Sequence, residues 1–485
     1  MDSTLLAFER ERYKTDASYD KAINNHIGKI NELFKAEATA IIANAPTLLK
    51  IVNPTEHSIS HLAILNTLKL SDHSDRSIPS DDFHEYILRF LLSFDPRQIR
   101  YVGDVFLHLL QDVLDCKFFP ARQAIQIIAI VLGRLDPDFA VLTSTHFAAV
   151  KLAYETENFY EALPIIDHPW VFLPAMKNQD TPTYLCDLTA SPAAYINTAT
   201  QLSYPLSRED VMQYEFWSAQ IFTAKRKWAD AHKAYKRVIT WPASDGHLSK
   251  IMVESHKRWV LTGLLAFGHT PTQPTQVGSA AAKSLTLTSK PYLDVAALFS
   301  TNNVEQFKAD VTKHVETWNA DQTSTLLQEV IEAYQKWQIL GLADVYHKIS
   351  IPEIRQTTLS AETGQILTTD QQVEELLQAM HAGGMLAGDL ETGPDGTTYL
   401  TFLPRDEEMD YGVYQKKIND DARLKSLSKW TKATDSRLAA SRDYAKHIIR
   451  EQKRSDKDGS SQLGPEYNLE EAIEDEDLMT GIQHP

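Results

Sequence analysis

One run limits what this chain can become more than any other, Asp370–Phe402. Its apolar residues Val373, Leu376, Leu377 and Met380 fall at i, i+3, i+4 and i+7, the stripe of an amphipathic helix. Asp370 is placed to cap that helix, and Gly383-Gly384 to stop it. Two extended runs follow, Met385–Glu391 and Thr397–Phe402, joined by the turn sequence Gly393-Pro394-Asp395-Gly396. Helix, glycine stop, strand, tight turn, strand predicts a winged helix. Its first helix is expected at Leu340–Lys348, and its second at Pro352–Leu359 behind a Ser350 cap.

Upstream the pattern is helical throughout. Pro46 and Pro54 are expected to break residues 1–70, leaving a helix at His57–Leu70. Phe83, Tyr86, Ile87, Phe90, Leu91 and Phe94 share one helical face, and Asp95-Pro96 ends it. A second helix carries Ile99, Val102, Val105, Phe106, Leu109, Leu110 and Val113. Pro120 opens a third, through Ile125, Ile128 and Leu132, which Asp136-Pro137 closes. Helices of about 12–18 residues with short joints predict an α-solenoid. Two pairs resemble tetratricopeptide units: His146–Tyr154 with Phe159–Ile166, and Tyr214–Thr223 with Trp228–Ile239. Each second helix starts on an aromatic with alanine three residues on, Phe159/Ala162 and Trp228/Ala231. Asn178–Pro205 reads as an inserted loop and His269–Ser284 as a linker. Helices resume at Tyr292–Ser300, Val304–Trp318 and Thr323–Trp337.

After Pro404 the composition shifts. Val413–Arg454 holds twelve Lys/Arg against five Asp/Glu and reads as one long helix with a thin apolar stripe, Ile418, Leu424, Leu427, Trp430, Leu438 and Ile448. Glu466–Asp477 holds seven acids and no base, the composition of a disordered acidic tail. The expected fold class is mainly α: an α-solenoid of TPR-like repeats, a winged-helix domain and a C-terminal helix. The predicted layout is a repeat domain at 1–268, a linker at 269–284, and a domain at 285–403 whose winged helix is 340–403. A helix at 404–454 and a tail at 455–485 complete it.

Net charge is −17, which argues against a general nucleic-acid binder. The predicted recognition helix, Asp370–Ala382, has no Lys or Arg to offer phosphates and carries Asp370, Glu374 and Glu375. A nucleic-acid-binding alternative rests on the basic helix, through Lys416, Lys417 and Arg423. Two cysteines, Cys116 and Cys186, suit a reducing compartment. Met1–Tyr13 does not read as a signal peptide, and no apolar run approaches the roughly 20 residues of a membrane helix. The expected locations are cytoplasm and nucleus.

Catalytic patterns are missing. His57 and His61 sit at i, i+4, but residue 58 is Ser and no third ligand is evident, so two ordinary helix histidines are the expectation. Gly278–Ser284 ends in Lys283-Ser284, but Ala282 stands where a phosphate loop needs glycine. There is no G-x-S-x-G elbow. Neither an enzyme nor a cofactor is expected.

The order of solenoid, winged helix and helical tail resembles the PCI family, scaffold subunits of the proteasome lid, the COP9 signalosome and a translation initiation factor. Collinear stretches are similar to the signalosome's third-subunit branch: Glu56-His57-Ser58, Leu62-Ala63-Ile64-Leu65, Ile99-Arg100-Tyr101, Leu142-Thr143-Ser144-Thr145-His146, Tyr160-Glu161-Ala162-Leu163-Pro164, Met252-Val253-Glu254-Ser255-His256-Lys257 and Ser300-Thr301-Asn302-Asn303. The Asn178–Pro205 loop, the Ser360–Thr369 connection and the tail depart from the pattern, which fits a fungal or otherwise distant member. The resemblance implies a non-catalytic scaffold in an assembly that removes Nedd8 from cullin-RING ubiquitin ligases, with the zinc-protease subunit elsewhere and PCI subunits one and eight as neighbours. It implies assembly through strand edges of the hairpin (Met385, Leu386, Asp389, Tyr399, Leu400, Phe402) and through the last helix (Ile418, Leu424, Leu427, Trp430). No membrane or nucleic-acid partner is expected. A proteasome-lid PCI subunit stands as the near alternative.

Overall fold

The structure is a computed structural model. It describes residues 2–9, 12–71, 79–174, 182–242, 248–301, 303–393 and 396–403. Within 421–449 it describes Asp421, 423–425, 427–433, 435–436, 444–446 and 448–449. The chain divides into two units, 1–427 and 428–485. Among the described residues it is mainly helical, with one small sheet.

The solenoid begins with α1 (Asp2–Leu5) and α2 (Asp16–Ile51), which Thr15 caps by accepting the Ser18 N–H at 3.4 Å. The expected break at Pro46 does not occur: α2 kinks at Glu37 (φ −124°, ψ 26°) and runs through the proline. Ala45, Leu48 and Leu49 are buried around it, and that packing outweighs the roughly 3 kcal/mol a proline costs a helix interior. Then come α3 (Ser58–Leu70), α4 (Ser80–Ser93), α5 (Pro96–Ile99), α6 (Gly103–Leu114) and α7 (Ala121–Leu135). The predicted face of α4 is core: Phe83, Ile87, Phe90 and Leu91, with Phe94 just after it, are all at most 1% exposed. Pro120 precedes α7 and Asp136 follows it, as the sequence suggests.

The two TPR-like pairs are α8 (Ser144–Glu155) with α9 (Phe159–Ile166), and α11 (Arg208–Ala224) with α12 (Trp228–Ile239). Ala162 and Ala231 are fully buried. The joints match in detail. Glu157 and Arg226 take left-handed φ of 57° and 55°. The next N–H reaches back five residues in both, Asn158 to Ala153 O at 3.0 Å and Lys227 to Phe222 O at 2.9 Å. Cys116 (φ 58°, then Lys117 N–H to Asp112 O) and Gln322 (φ 55°, then Thr323 N–H to Trp318 O) repeat the joint. None of the four is glycine.

The stretch expected to be an inserted loop is a strap with its own short helix, α10 (Pro192–Tyr195). Ala193, Ala194, Tyr195, Ile196 and Leu202 are buried. Arg97 Nε donates to Cys186 O at 2.7 Å, and Arg100 Nη1 to Leu185 O and Asp187 O at 2.9 and 2.8 Å. The Arg100 guanidinium lies 3.4 Å over the Tyr195 ring. Arg97 Nη2 also pairs with Asp16 Oδ1 at 2.6 Å, and Cys186 Sγ donates to Asp16 O at 3.4 Å, which ties the strap to the start of α2. A Cβ on Gly103 would collide with the Thr200 carbonyl, so the strap needs glycine at the start of α6.

After α13 (Lys250–Phe267) come α14 (Ser279–Thr288), α15 (Lys290–Phe299), α16 (Val304–Lys313), α17 (Val315–Ala320) and α18 (Ser324–Gly341). An ion network joins α13 to the turn before α18. Lys257 Nζ pairs with Asp321 Oδ1 at 2.7 Å and Glu254 Oε1 at 2.8 Å, and Tyr292 OH donates to Asp321 Oδ2 at 2.8 Å. Arg258 adds bonds to Glu254 Oε2 and Asp321 O at 2.7 and 2.8 Å.

The winged helix follows as β1 (Lys348–Ser350), α19 (Ile351–Thr357), α20 (Asp370–Ala382), β2 (Gly388–Thr392) and β3 (Thr398–Phe402). The helix expected at Leu340–Lys348 is replaced by the end of α18, a 3-10 turn at Leu342–Asp344 and β1. Thr369, not Asp370, caps α20, with Gln372 completing the box. Gly384 takes φ +66° after it. In the second unit, helical backbone is described at 428–433, 435–436, 444–446 and 448–449, with Tyr444 and Ile448 exposed.

Candidate protein-interaction surface

Strand order fixes which backbone is free to pair. The sheet runs β1-β3-β2, so β3 is the middle strand. On β2, Leu403 N–H bonds Ala387 O at 3.1 Å at one end, and Gly393 N–H bonds Thr397 O at 2.8 Å at the other. Antiparallel bonding alternates, so Ala387, Asp389, Glu391 and Gly393 face β3. Gly388, Leu390 and Thr392 therefore turn their N–H and C=O groups outward, and no described strand pairs with them. The other edge is shorter. Phe402 N–H bonds His347 O, so Lys348 and Ser350 face outward on β1. The Ser350 N–H is taken by Glu353 Oε2 at 3.2 Å in the capping box of α19.

Beside the β2 edge lies a groove of about 230 Å³ between α20 and β2. Leu377, Leu386, Leu390 and Leu400 form its apolar wall, with Gln378, His381 and Asp389 at the rim. Leu390 is opposite Leu400 in the register but, with no outer neighbour, stays 37% exposed. An unpaired strand edge beside an apolar groove suits an added strand whose alternate side chains fill the groove. The opposite face carries Tyr399, with Lys348 Nζ 5.3 Å from its ring and 2.8 Å from Glu391 Oε2.

The residues named from sequence divide accordingly. Leu386, Leu400 and Phe402 belong to the winged-helix core with Ile349, Val373 and Leu377, and Met385 packs against it. Tyr399, Leu400 and Phe402 are on the middle strand, so the free edge is not theirs. Asp389 is exposed on β2. Leu390, missed from sequence, is the outward residue with apolar surface. Ile418, Lys416, Lys417 and the acidic tail lie outside the described residues. Leu424 is 59% exposed, whereas Leu427 is 5% exposed. Trp430 is half-buried in the second unit.

His61 is fully buried, and its ring stacks on Phe90 at 5.5 Å. Among the described residues neither of its nitrogens has a partner. Burial pushes its pKa down to about 3. It joins His57 in no metal site: among the described residues no three His, Cys, Asp or Glu side chains are grouped to hold a metal ion. No described helix is long and apolar enough to cross a membrane.

Comparison with known proteins agrees with this architecture. The family model for the N-terminal helical repeats of COP9 signalosome complex subunit 3 matches residues 20–188 and 191–280. The match spans most of the strap and is interrupted within it, at 189–190. A Neurospora crassa protein named COP9 signalosome complex subunit 3 is 34% identical over 499 aligned residues, covering 99% of this chain and 98% of that protein. One of the same name from Emericella nidulans is 28% identical, over 96% of this chain and 95% of its own length. On these matches, the chain belongs to the COP9 signalosome subunit 3 family.

Proposed function

We propose that this chain is a non-catalytic scaffold subunit of the COP9 signalosome, the assembly that removes Nedd8 from cullin-RING ubiquitin ligases. It binds neighbouring PCI subunits, by family placement subunits one and eight. The zinc-protease subunit and the cullins are reached through the complex. The observation that carries the reading is the open β2 edge, with Gly388, Leu390 and Thr392 outward beside an apolar groove, in a chain of this family. A neighbour's strand added there gains main-chain bonds of about 1 kcal/mol each and a pocket for one or two apolar side chains. α20 supports this use over nucleic-acid reading: it presents Asp370, Glu374 and Glu375, and no Lys or Arg.

The test is Leu390→Pro against Tyr399→Pro, each co-expressed with the PCI subunits. Leu390→Pro removes an outward donor and no bond within the sheet, so the chain keeps its helical circular dichroism but loses the copurifying subunits. Tyr399→Pro breaks the ladder to β2 and unfolds the hairpin itself. A Leu390→Pro chain that assembles like wild type refutes the edge.

A further inference from the structure

The solenoid carries a second built surface, away from the winged helix. Two loops, 136–141 and 167–172, are stapled side by side. Val171 and Phe172 N–H both donate to Ala140 O, at 2.8 and 2.9 Å, and Leu142 N–H donates to Phe172 O at 3.0 Å. Asp136 is 2% exposed. Its Oδ1 accepts Asp138 N–H at 3.2 Å and its Oδ2 accepts Val141 N–H at 2.9 Å. Phe139, held at φ 49°, stacks on His168 with ring centroids 4.6 Å apart. This leaves one carbonyl from each loop, Asp138 O and Pro169 O, facing the same guanidinium. Arg423 Nε donates to the first at 2.9 Å, and Nη2 to the second at 3.3 Å. One turn on, Leu427 is 5% exposed, while Leu424 is 59% exposed. Residues 423 and 427 share a helical face. The C-terminal helix is therefore held to both loops by the Arg423 fork, with Leu427 buried on the same helical face.

We propose that these two loops form a docking site for the start of the C-terminal helix. In the free chain the site holds this chain's own Arg423. The site fits a guanidinium that bridges the two loop carbonyls. On the scaffold reading above, Leu427, buried in the free chain, is wanted by neighbouring subunits, so the latched position and assembly compete for it. The C-terminal helix is latched before assembly and released by it.

Hydrogen exchange on the full-length chain tests the latch by itself, with Arg423→Ala compared against Lys425→Ala, whose side chain is 75% exposed. Arg423→Ala is expected to raise exchange about tenfold in 138–142, in 171–172 and at 424, 425 and 427, because a lost charge-assisted bond is worth about that factor. Lys425→Ala is expected to change none of them. Unchanged exchange in Arg423→Ala overturns the docking. Association with the purified neighbouring PCI subunits then tests the competition. Arg423→Ala is expected to associate faster than wild type, and an equal or slower rate overturns the release. If wild type and variants alike fail to associate, the assembly role fails, and the latch stands or falls on exchange alone.

Discussion

Acid should unfold the solenoid through its buried histidines, and His61→Phe should blunt the effect. Burial holds His61 and His146 neutral down to about 3, and His26 and His232 down to about 4. The unfolded chain protonates all four near pH 6.5. A depressed folded pKa means stability that is intact above 6.5 and is lost as the pH falls. At pH 5 each histidine costs about 2 kcal/mol, or about 8 kcal/mol together. Asp136 acts in the opposite sense, because burial raises its pKa to about 6 against 3.8 unfolded. Its native carboxyl takes up a proton first and returns about 1 kcal/mol by pH 5. The net loss, about 7 kcal/mol, is comparable to the whole stability of a typical domain. His61 is the cleanest to remove, since its ring stacks on Phe90 and neither nitrogen is bonded. Phenylalanine keeps the stack and abolishes the orphan nitrogens. His61→Phe should stabilise the chain by about 1–2 kcal/mol at pH 7.5, and by about 2 kcal/mol more at pH 5. Urea unfolding of the full chain at pH 7.5, 6 and 5, followed by circular dichroism, measures both. A wild-type midpoint that stays flat from pH 7.5 to 5, or a His61→Phe advantage that does not grow as the pH falls, refutes the reasoning.

Three further outcomes are expected. Asp321→Asn leaves Lys257, whose side chain is 11% exposed, with one carboxylate instead of two; the loss should be about 2 kcal/mol, and a double-mutant cycle with Lys257→Met should recover most of it as coupling. Gln322→Gly relieves a left-handed backbone at φ 55° and should stabilise by about 1 kcal/mol, whereas Gln322→Val should destabilise, both read as unfolding midpoints. Gly103→Ala drives a methyl into the Thr200 carbonyl and should cost about 1–3 kcal/mol, with protease cutting appearing first in 182–205.

What the sequence revealed was whatever repeats locally. The i, i+3, i+4, i+7 pattern of α20 put Val373, Leu377 and Met380 in the core, where they are. The proline-bounded helices α4 and α7 were legible for the same reason. β1 was not: three residues, Lys348-Ile349-Ser350, hold too little alternation to register beside the helical pattern that precedes them. Without β1 the sheet has two strands, and nothing in a hairpin says which strand will be covered, so the pattern alone does not set Leu390 apart from Tyr399. The strap was hidden because its support is remote. Its Thr- and Pro-rich sequence reads as loop, while its carbonyls are satisfied by Arg97 and Arg100 from about 90 residues earlier. Those arginines lie in or beside Ile99-Arg100-Tyr101, one of the stretches that suggested the family. Others serve similar joints: Thr143 and His146 box the start of α8, and Glu254 and Lys257 anchor α13.

The strap also sets an order of events on the ribosome. Asp16 receives the Cys186 thiol across a sequence separation of 170 residues. At about 5–20 residues per second, the first part of α2 leaves the exit tunnel about 10–30 s before the residues that fasten it exist. During that interval Tyr19 and Ile23, both fully buried in the finished fold, have no strap to cover them. The amino-terminal helix is thus made first and secured late, and a nascent chain of this protein needs its apolar start sheltered until about residue 190 has emerged.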